Sequence, residues 1–160
     1  MNRDLEQQLV SKYPKILKDY RGDMRKTCMA WGMECGDGWF NLLDKCMEKL
    51  QHFCDLCSKD GKEVQITANQ IKEKFGTLRF YASTSGATNI EDEILHDIID
   101  KAEETSSSVC EETGEYGVPC KRGGWYKTLC RKKARELHFT ACNEQTEQYW
   151  QEQDSTLTSS

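Results

Sequence analysis

Hydrophobic residues recur at steps of three and four along two long stretches, which predicts two amphipathic helices. The first helix begins at "DGWF", with Asp37 as its expected N-cap, and ends before Gly61. The second follows the polar turn "STSGATN" and carries acidic residues opposite its apolar stripe. The apolar positions are Trp39, Leu42, Leu43, Cys46, Leu50, Phe53, Cys54 and Cys57 in the first helix, and Ile90, Ile94, Leu95, Ile98, Ile99 and Ala102 in the second. Each helix therefore has one face to bury.

Between these helices, apolar and polar residues alternate in "EVQITA" and again in "TLRFYA", which is typical of two half-buried strands. Gly76 lies in their connection and can adopt a positive φ. Because side chains alternate across a strand, Arg79 and Tyr81 share one face while Leu78 and Phe80 share the other. The pattern therefore predicts a β-hairpin with one polar face.

A shorter amphipathic pattern opens the chain, and a last helical pattern runs to about Trp150. The sequence thus predicts an α+β fold: a β-hairpin or small antiparallel sheet packed on two long helices, a knuckle resembling a degenerate zinc ribbon, and a C-terminal helix. We expect one domain over residues 1–152, with the knuckle at 110–133, and a disordered tail over 153–160.

The composition excludes a membrane-spanning helix, because no run approaches the roughly 18 apolar residues that such a helix needs. The first ten residues, "MNRDLEQQLV", lack the apolar core of a signal peptide. Nine cysteines, an odd number, favour reduced thiols over a disulfide framework. We therefore expect a cysteine-rich cytoplasmic protein.

The net charge of -5 is unevenly distributed. Residues 91–115 contain ten acids and one base, Lys101, whereas residues 121–135 contain seven bases and no acid. These segments could pair with each other, or the basic segment could face an anion or a partner. The pattern does not suit a general binder of duplex DNA.

The segment "CEETGEYGVPCKRGGWYKTLCRKK" has the spacing of a four-cysteine zinc ribbon but half of its ligands. Cys110 and Cys130 open the two knuckles, while Thr113 and Lys133 occupy the closing positions. A zinc site would need further ligands from Cys120, or from His138 and Cys142. We therefore expect no cofactor and treat Cys110, Cys120 and Cys130 as weak metal candidates only.

Three separate segments each combine glycine with an aromatic residue, and two of them add bases. Glycines let a ligand approach the backbone, a helix N-terminus attracts anions, and aromatic rings with cations suit a phosphorylated ring compound. The alternatives are a capped helix with core tryptophans and a solvated sheet face. The candidate ligand-binding residues are Trp31, Gly36, Asp37, Gly38 and Trp39; Lys72, Lys74, Arg79 and Tyr81; and Gly123, Gly124, Trp125 and Lys127.

The segments "GDMRKTCMAWGMECGDGW", "IKEKFGTLRFY" and "GGWYKTLC" together resemble a family of small uncharacterised bacteriophage and prophage proteins, over most of residues 13–130. This chain departs from the family's Cys-x-x-Cys knuckles at Thr113 and Lys133. Small phage accessory proteins include inhibitors that sequester nucleotide immune signals. The resemblance therefore implies a protein of an infected bacterial host that is involved in immune evasion.

The leading hypothesis is a non-enzymatic binder of a small phosphorylated nucleotide. No nucleophile motif or metal-binding histidine pair favours an enzyme. One alternative is an inhibitor that binds a host defence protein or a nucleic acid through the basic segment 121–135. Another is a hydrolase that degrades the signal. The expected assemblies include a homo-oligomer.

Overall fold

The computed structural model describes residues 1–159, which form five α-helices and two three-stranded sheets. The mixed α+β class predicted from the sequence is confirmed. In chain order the elements are α1 (Arg3–Lys12), β1 (Met33–Glu34), α2 (Phe40–Cys57), β2 (Gln65–Lys74), β3 (Thr77–Ser85), α3 (Asn89–Ser106), β4 (Val118–Arg122), β5 (Trp125–Leu129), α4 (Arg131–Glu136), β6 (Thr140–Ala141) and α5 (Glu144–Thr158). None of these helices is both long enough and apolar enough to cross a bilayer.

The first sheet has the order β1-β2-β3, with β1 parallel to β2 and β2 antiparallel to β3. The β2–β3 hairpin turns at Phe75 and Gly76, whose φ angles are 54° and 85°. A two-residue turn with positive φ at both positions matches the right-handed twist of the strands. The positive φ predicted at Gly76 is therefore confirmed.

The first hydrophobic core lies between one face of this sheet and the helices α2 and α3. Its fully buried side chains include Ile66, Ile71 and Leu78 from the sheet and Leu43 and Leu50 from α2. The apolar stripe predicted for α3 is too wide, because Ile90 is 70% exposed and Ile94 is 38% exposed. The buried positions of α3 begin only at Leu95.

The N-terminus of α2 differs from the prediction. Residues Asp37–Trp39 form a 3-10 helix that runs directly into α2, and the N-cap position of α2 is Trp39, without a side-chain capping bond. The Asp37 carboxylate instead accepts hydrogen bonds from the backbone N–H and the side-chain amide of Asn2, at 2.7 and 3.0 Å. Asp37 therefore anchors the start of the chain to the 3-10 helix.

The second sheet has the order β5-β4-β6 and covers a separate, smaller core. Three of its buried residues are cysteines, and α5 packs onto it through Trp150, which is 8% exposed. The buried members of this core are Cys110, Cys120, Leu129, Cys130, Ala134, Phe139, Ala141 and Trp150. The segment predicted as a knuckle therefore forms part of a second core.

Helix α5 continues well beyond the end predicted from the sequence. It runs to Thr158, and the Asp154 carboxylate lies 2.8 Å from Nε of Arg135 and 3.7 Å from Nε of Arg131. The helix replaces the disordered tail predicted over 153–158, and ion pairs to the basic segment hold it at Asp154. The last residue of the predicted tail, Ser160, lies outside the described residues.

Candidate functional site

The polar side of the β2–β3 hairpin carries the candidate residues Lys72, Lys74, Arg79 and Tyr81, and we call it the outer hairpin face. Lys72 pairs with Arg79 across the two strands, and Gln70 pairs with Tyr81. Residues directly opposite on antiparallel strands point to the same side, with Cβ atoms about 5 Å apart. Two cations and a phenol, which is 46% exposed, therefore lie next to one another.

Among the described residues, neither lysine of this face has a carboxylate partner. In residues 1–159, no carboxylate oxygen lies within 4.0 Å of Nζ in either Lys72 or Lys74. Glu34 lies beside Lys72 in the sheet register but does not reach that distance. Arg79 is engaged at long range, with one guanidinium nitrogen 3.7 Å from a carboxylate oxygen of Glu103 on α3. The face therefore has net positive charge that is available to an anion.

The glycines of "ECGDGW" allow the backbones of the two cores to pack closely together. The N–H of Gly36 donates to Oε1 of Glu111 at 2.9 Å, and the N–H of Gly38 donates to the backbone oxygen of Glu111 at 2.8 Å. An added Cβ would lie 2.3 Å from the oxygen of Glu111 at position 36, and 2.3 Å from the oxygen of Cys110 at position 38. These amides are therefore occupied, and the predicted anion site at this helix start is wrong.

The tryptophans beside that segment have different surroundings. Trp39 is fully buried, and its indole N–H donates to the backbone oxygen of Val109 at 2.9 Å. It therefore cannot stack on a ligand, which corrects its predicted role. Trp31 lies in the 3-10 helix Cys28–Trp31 and is 57% exposed. Of these two, only Trp31 is free to contact a ligand.

The tip of the β4–β5 hairpin holds the third candidate segment. Gly123 has a φ of 59°, and Trp125 is exposed. Apart from the adjoining residues, no atom of residues 1–159 lies within 4 Å of a Cβ added at Gly123 or Gly124. Lys127, however, is engaged, with Nζ 3.5 Å from the carboxylate of Glu111 and 3.5 Å from that of Glu112. Lys127 therefore acts within the protein.

The two hairpins meet where β5 passes the turn of β2–β3. An added Cβ at Gly76 would lie 3.2 Å from the backbone of Lys127, and the Thr128 hydroxyl donates to the oxygen of Gly76 at 2.8 Å. Phe75, beside this contact, is 71% exposed. The structure thus brings the end of the outer hairpin face against the strand that carries Trp125 and Lys127.

Glu111 is the residue of this region that sequence reasoning did not single out. It is 4% exposed, and within residues 1–159 its Oε2 has no hydrogen-bond partner. Burial raises the pKa of this carboxyl, while the nearby Lys127 ammonium opposes the rise. Glu111 occurs among ten acids of a polar stretch, so its position alone gives no signal that this one carboxylate is buried.

Four of the seven bases of the segment 121–135 pair with carboxylates: Lys127, Arg131, Lys133 and Arg135. Arg135 donates to both carboxylate oxygens of Glu147, at 2.9 and 3.2 Å, and Lys133 lies 2.8 Å from Glu136. The guanidinium carbon of Arg122 lies 4.7 Å from the centroid of the Phe139 ring. Arg131 and Arg135 pair with carboxylates of α5. Within residues 1–159, the predicted pairing of the acidic segment with the basic segment is limited to Lys127 with Glu111 and Glu112.

The opening cysteines of the two knuckles lie close together. The Thr113 hydroxyl is 3.8 Å from Sγ of Cys130. Burial raises the pKa of the Cys110 thiol, but the Thr113 hydroxyl and the backbone N–H groups of Cys130, Thr113 and Glu112 outweigh burial and lower it below its usual value. At Cys120, burial raises the pKa to about 12, because a backbone hydrogen bond with Leu129 lowers it by less than burial raises it.

All nine cysteines are free thiols. Within residues 1–159, no group of three or more His, Cys, Asp or Glu side chains is arranged to hold a metal ion. The structure therefore gives no geometric support for a zinc site that recruits Cys120, or His138 with Cys142, since structural zinc is bound by four such ligands.

Comparisons with protein-family models, with curated proteins and with solved structures return no match for this chain.

Proposed function

We propose that the protein binds a small phosphorylated nucleotide on the outer hairpin face and holds it without turnover. The observation that carries the proposal is the strand register, which sets Lys72 directly opposite Arg79 and places Tyr81 beside them. The phosphate contacts the two cations and Lys74, and the base stacks on the Tyr81 ring.

The chemistry of the face suits this ligand. A guanidinium can bind two phosphate oxygens at once, whereas an ammonium acts as a point charge. Exposed aromatic rings stack on bases of any sequence, because every base has a π-face. A two-stranded hairpin backed by a buried core also holds these side chains on a rigid support. Neither histidine nor cysteine lies on this face, which supports binding without chemistry.

The resemblance to phage proteins gives the proposal a biological setting. A protein that sequesters a nucleotide immune signal would act in the cytoplasm of an infected bacterium. Such a protein needs affinity and abundance but no catalytic group. The outer hairpin face supplies charge and stacking, which are the two requirements for affinity toward a nucleotide.

The test is thermal shift and calorimetric titration with cyclic dinucleotides, cyclic mononucleotides and ADP-ribose derivatives. We expect one of these ligands to bind, and its affinity to fall at least tenfold in Lys72→Ala and in Arg79→Ala. Lys132→Ala is the matched control, because Lys132 is an exposed base of the segment 121–135 with no carboxylate within 4.0 Å in residues 1–159. Lack of binding to every ligand, or equal affinity in all three variants, would refute the proposal. Turnover of the bound ligand, followed by chromatography, would instead support the hydrolase.

A protein partner is a second candidate, and exposed aromatic residues favour it. Phe75, Trp125 and Tyr126 are 71%, 72% and 43% exposed at or near the two hairpin tips. Aromatic residues are enriched among the side chains that dominate protein interfaces. We expect Trp125→Ala to abolish capture of a host protein while leaving nucleotide binding unchanged. Loss of nucleotide binding in that variant would instead assign Trp125 to the ligand site.

A further inference from the structure

A groove between α2 and α3 lies apart from the outer hairpin face. It has a volume of about 240 Å³. Its floor is aliphatic and sulfur-containing, and its rim carries three lysines. The floor is formed by Leu42, Cys46, Ile98 and Ala102, and the rim by Lys45, Lys49 and Lys101. An apolar floor below a ring of positive charge is complementary to an amphipathic anion.

The three lysines are brought together from two helices. Lys45 and Lys49 lie one helical turn apart on α2, where like charges repel, and Lys101 approaches from α3. All three side chains are exposed, and in residues 1–159 none has a carboxylate oxygen within 4.0 Å of its Nζ. Lys101 is also the single base among the ten acids of residues 91–115. A bound anion would offset the repulsion among these ammonium groups.

The floor of the groove is electrically neutral. Burial raises the pKa of the Cys46 thiol to about 12, so the thiol stays protonated at neutral pH. Glu103, whose charge reaches Cys46, faces the guanidinium of Arg79 at 3.7 Å. No aromatic ring of residues 1–159 lines the groove, so these residues offer no stacking surface for a nucleobase.

We propose that this groove binds a short alkyl chain with an anionic headgroup, the chain on the floor and the head among Lys45, Lys49 and Lys101. A methylene group takes up about as much space as a water molecule, roughly 30 Å³, so a groove of about 240 Å³ accommodates a chain of about eight carbons. This site goes beyond the nucleotide site on the outer hairpin face, and it differs from it in charge arrangement and in the absence of rings.

The chain length of the ligand provides the first test. Calorimetric titration would use butyrate, hexanoate, octanoate and decanoate, with octanol as the ligand that lacks charge and octyl phosphate as the alternative head. We expect affinity to rise about fourfold for each added methylene up to octanoate and then to level off. Octyl phosphate should bind at least as tightly as octanoate. Octanol that binds as tightly as octanoate, or affinity that does not depend on chain length, would overturn the proposal.

The location of the site is tested with surface variants that leave the core intact. We expect Lys45→Ala/Lys49→Ala and Lys101→Ala each to weaken octanoate binding at least tenfold, with Lys132→Ala as the unaffected control. Lys72→Ala should leave octanoate binding unchanged, which separates this site from the proposed nucleotide site. Octanoate affinity that is unaltered in the groove variants would overturn the proposal. Nucleotide binding that is lost in those variants would also overturn it, because the groove would then be the nucleotide site.

Discussion

Replacing Gly38 by alanine should open the contact between the two cores. The added methyl group would lie 2.3 Å from the oxygen of Cys110, and 2.6 Å from both the oxygen of Glu111 and the nitrogen of Gly114. All three neighbours are backbone atoms, so no side-chain rotation can relieve the overlap. The loop that contains Gly36 and Gly38 must therefore move away from the segment 110–114.

The cost follows from the hydrogen bonds that this movement breaks. The bond from Gly38 N–H to the Glu111 backbone oxygen, at 2.8 Å, is worth about 1 kcal/mol. The bond from Gly36 N–H to the Glu111 carboxylate, at 2.9 Å, is worth about 2 kcal/mol because its acceptor is charged and buried. We therefore expect the free energy of unfolding to fall by about 3 kcal/mol, and Tm to fall by about 6–12 °C for a chain of this size.

Gly124→Ala is the matched control, because in the described part of the chain nothing beyond the adjoining residues lies within 4 Å of a Cβ added there. Urea unfolding of the two variants, followed by circular dichroism, gives the comparison. The control should differ from the parent protein by less than about 0.5 kcal/mol. An equally small change in Gly38→Ala would show that the close backbone contact is not what requires glycine at this position.

Three further predictions concern charge and sulfur. The pKa of Glu91 is lowered to about 2 from 4.5, chiefly by its hydrogen bond to Lys62. The stabilising effect of Glu91 is therefore complete above pH 4.5 and is lost as the pH falls toward 2. Glu91→Gln should flatten the dependence of the unfolding free energy on pH between these values, and an unchanged slope would contradict this. Arg135→Ala removes a bidentate ion pair that is partly buried and should lower the unfolding free energy by about 2 kcal/mol in urea titrations, whereas Lys132→Ala should have almost no effect. The double variant Thr113→Cys/Lys133→Cys supplies the missing ligands of both knuckles, so it should bind one zinc ion and have a higher Tm with zinc than without it. Either single variant is the control. Equal zinc binding in a single variant would refute the tetrahedral arrangement.

Local patterns predict much of this fold, because periodicity and turn chemistry act over a few residues. The alternation in "TLRFYA" places Arg79 and Tyr81 on one face correctly, and the positive φ at Gly76 follows from the hairpin turn. The contact of Arg79 with Glu103 does not follow, since it depends on how α3 packs beside β3. The polar face of the candidate site is thus predictable, but the charge available on it is not.

The glycines of "ECGDGW" show why the remaining features could not be predicted. A pair of glycines before a helix is compatible with an anion site and with close backbone packing alike. Close backbone packing is what the structure has, because the N–H of Gly36 donates to Glu111, which lies 75 residues further along the chain. The end of α5 is a similar case, because the polar composition of "DSTLTSS" indicates disorder while Asp154 is held by arginines of the basic segment. Tertiary contacts therefore override the local signal in both places.

The contact between the two cores also has a kinetic consequence. Its hydrogen bonds join residues that are 52, 70 and 75 positions apart, namely Gly76 with Thr128, Trp39 with Val109, and Gly36 with Glu111. Closing such long loops costs chain entropy, and the contact offsets this cost only after both cores have formed. The junction is therefore expected to assemble late in folding, so substitutions there should accelerate unfolding and leave the folding rate nearly unchanged.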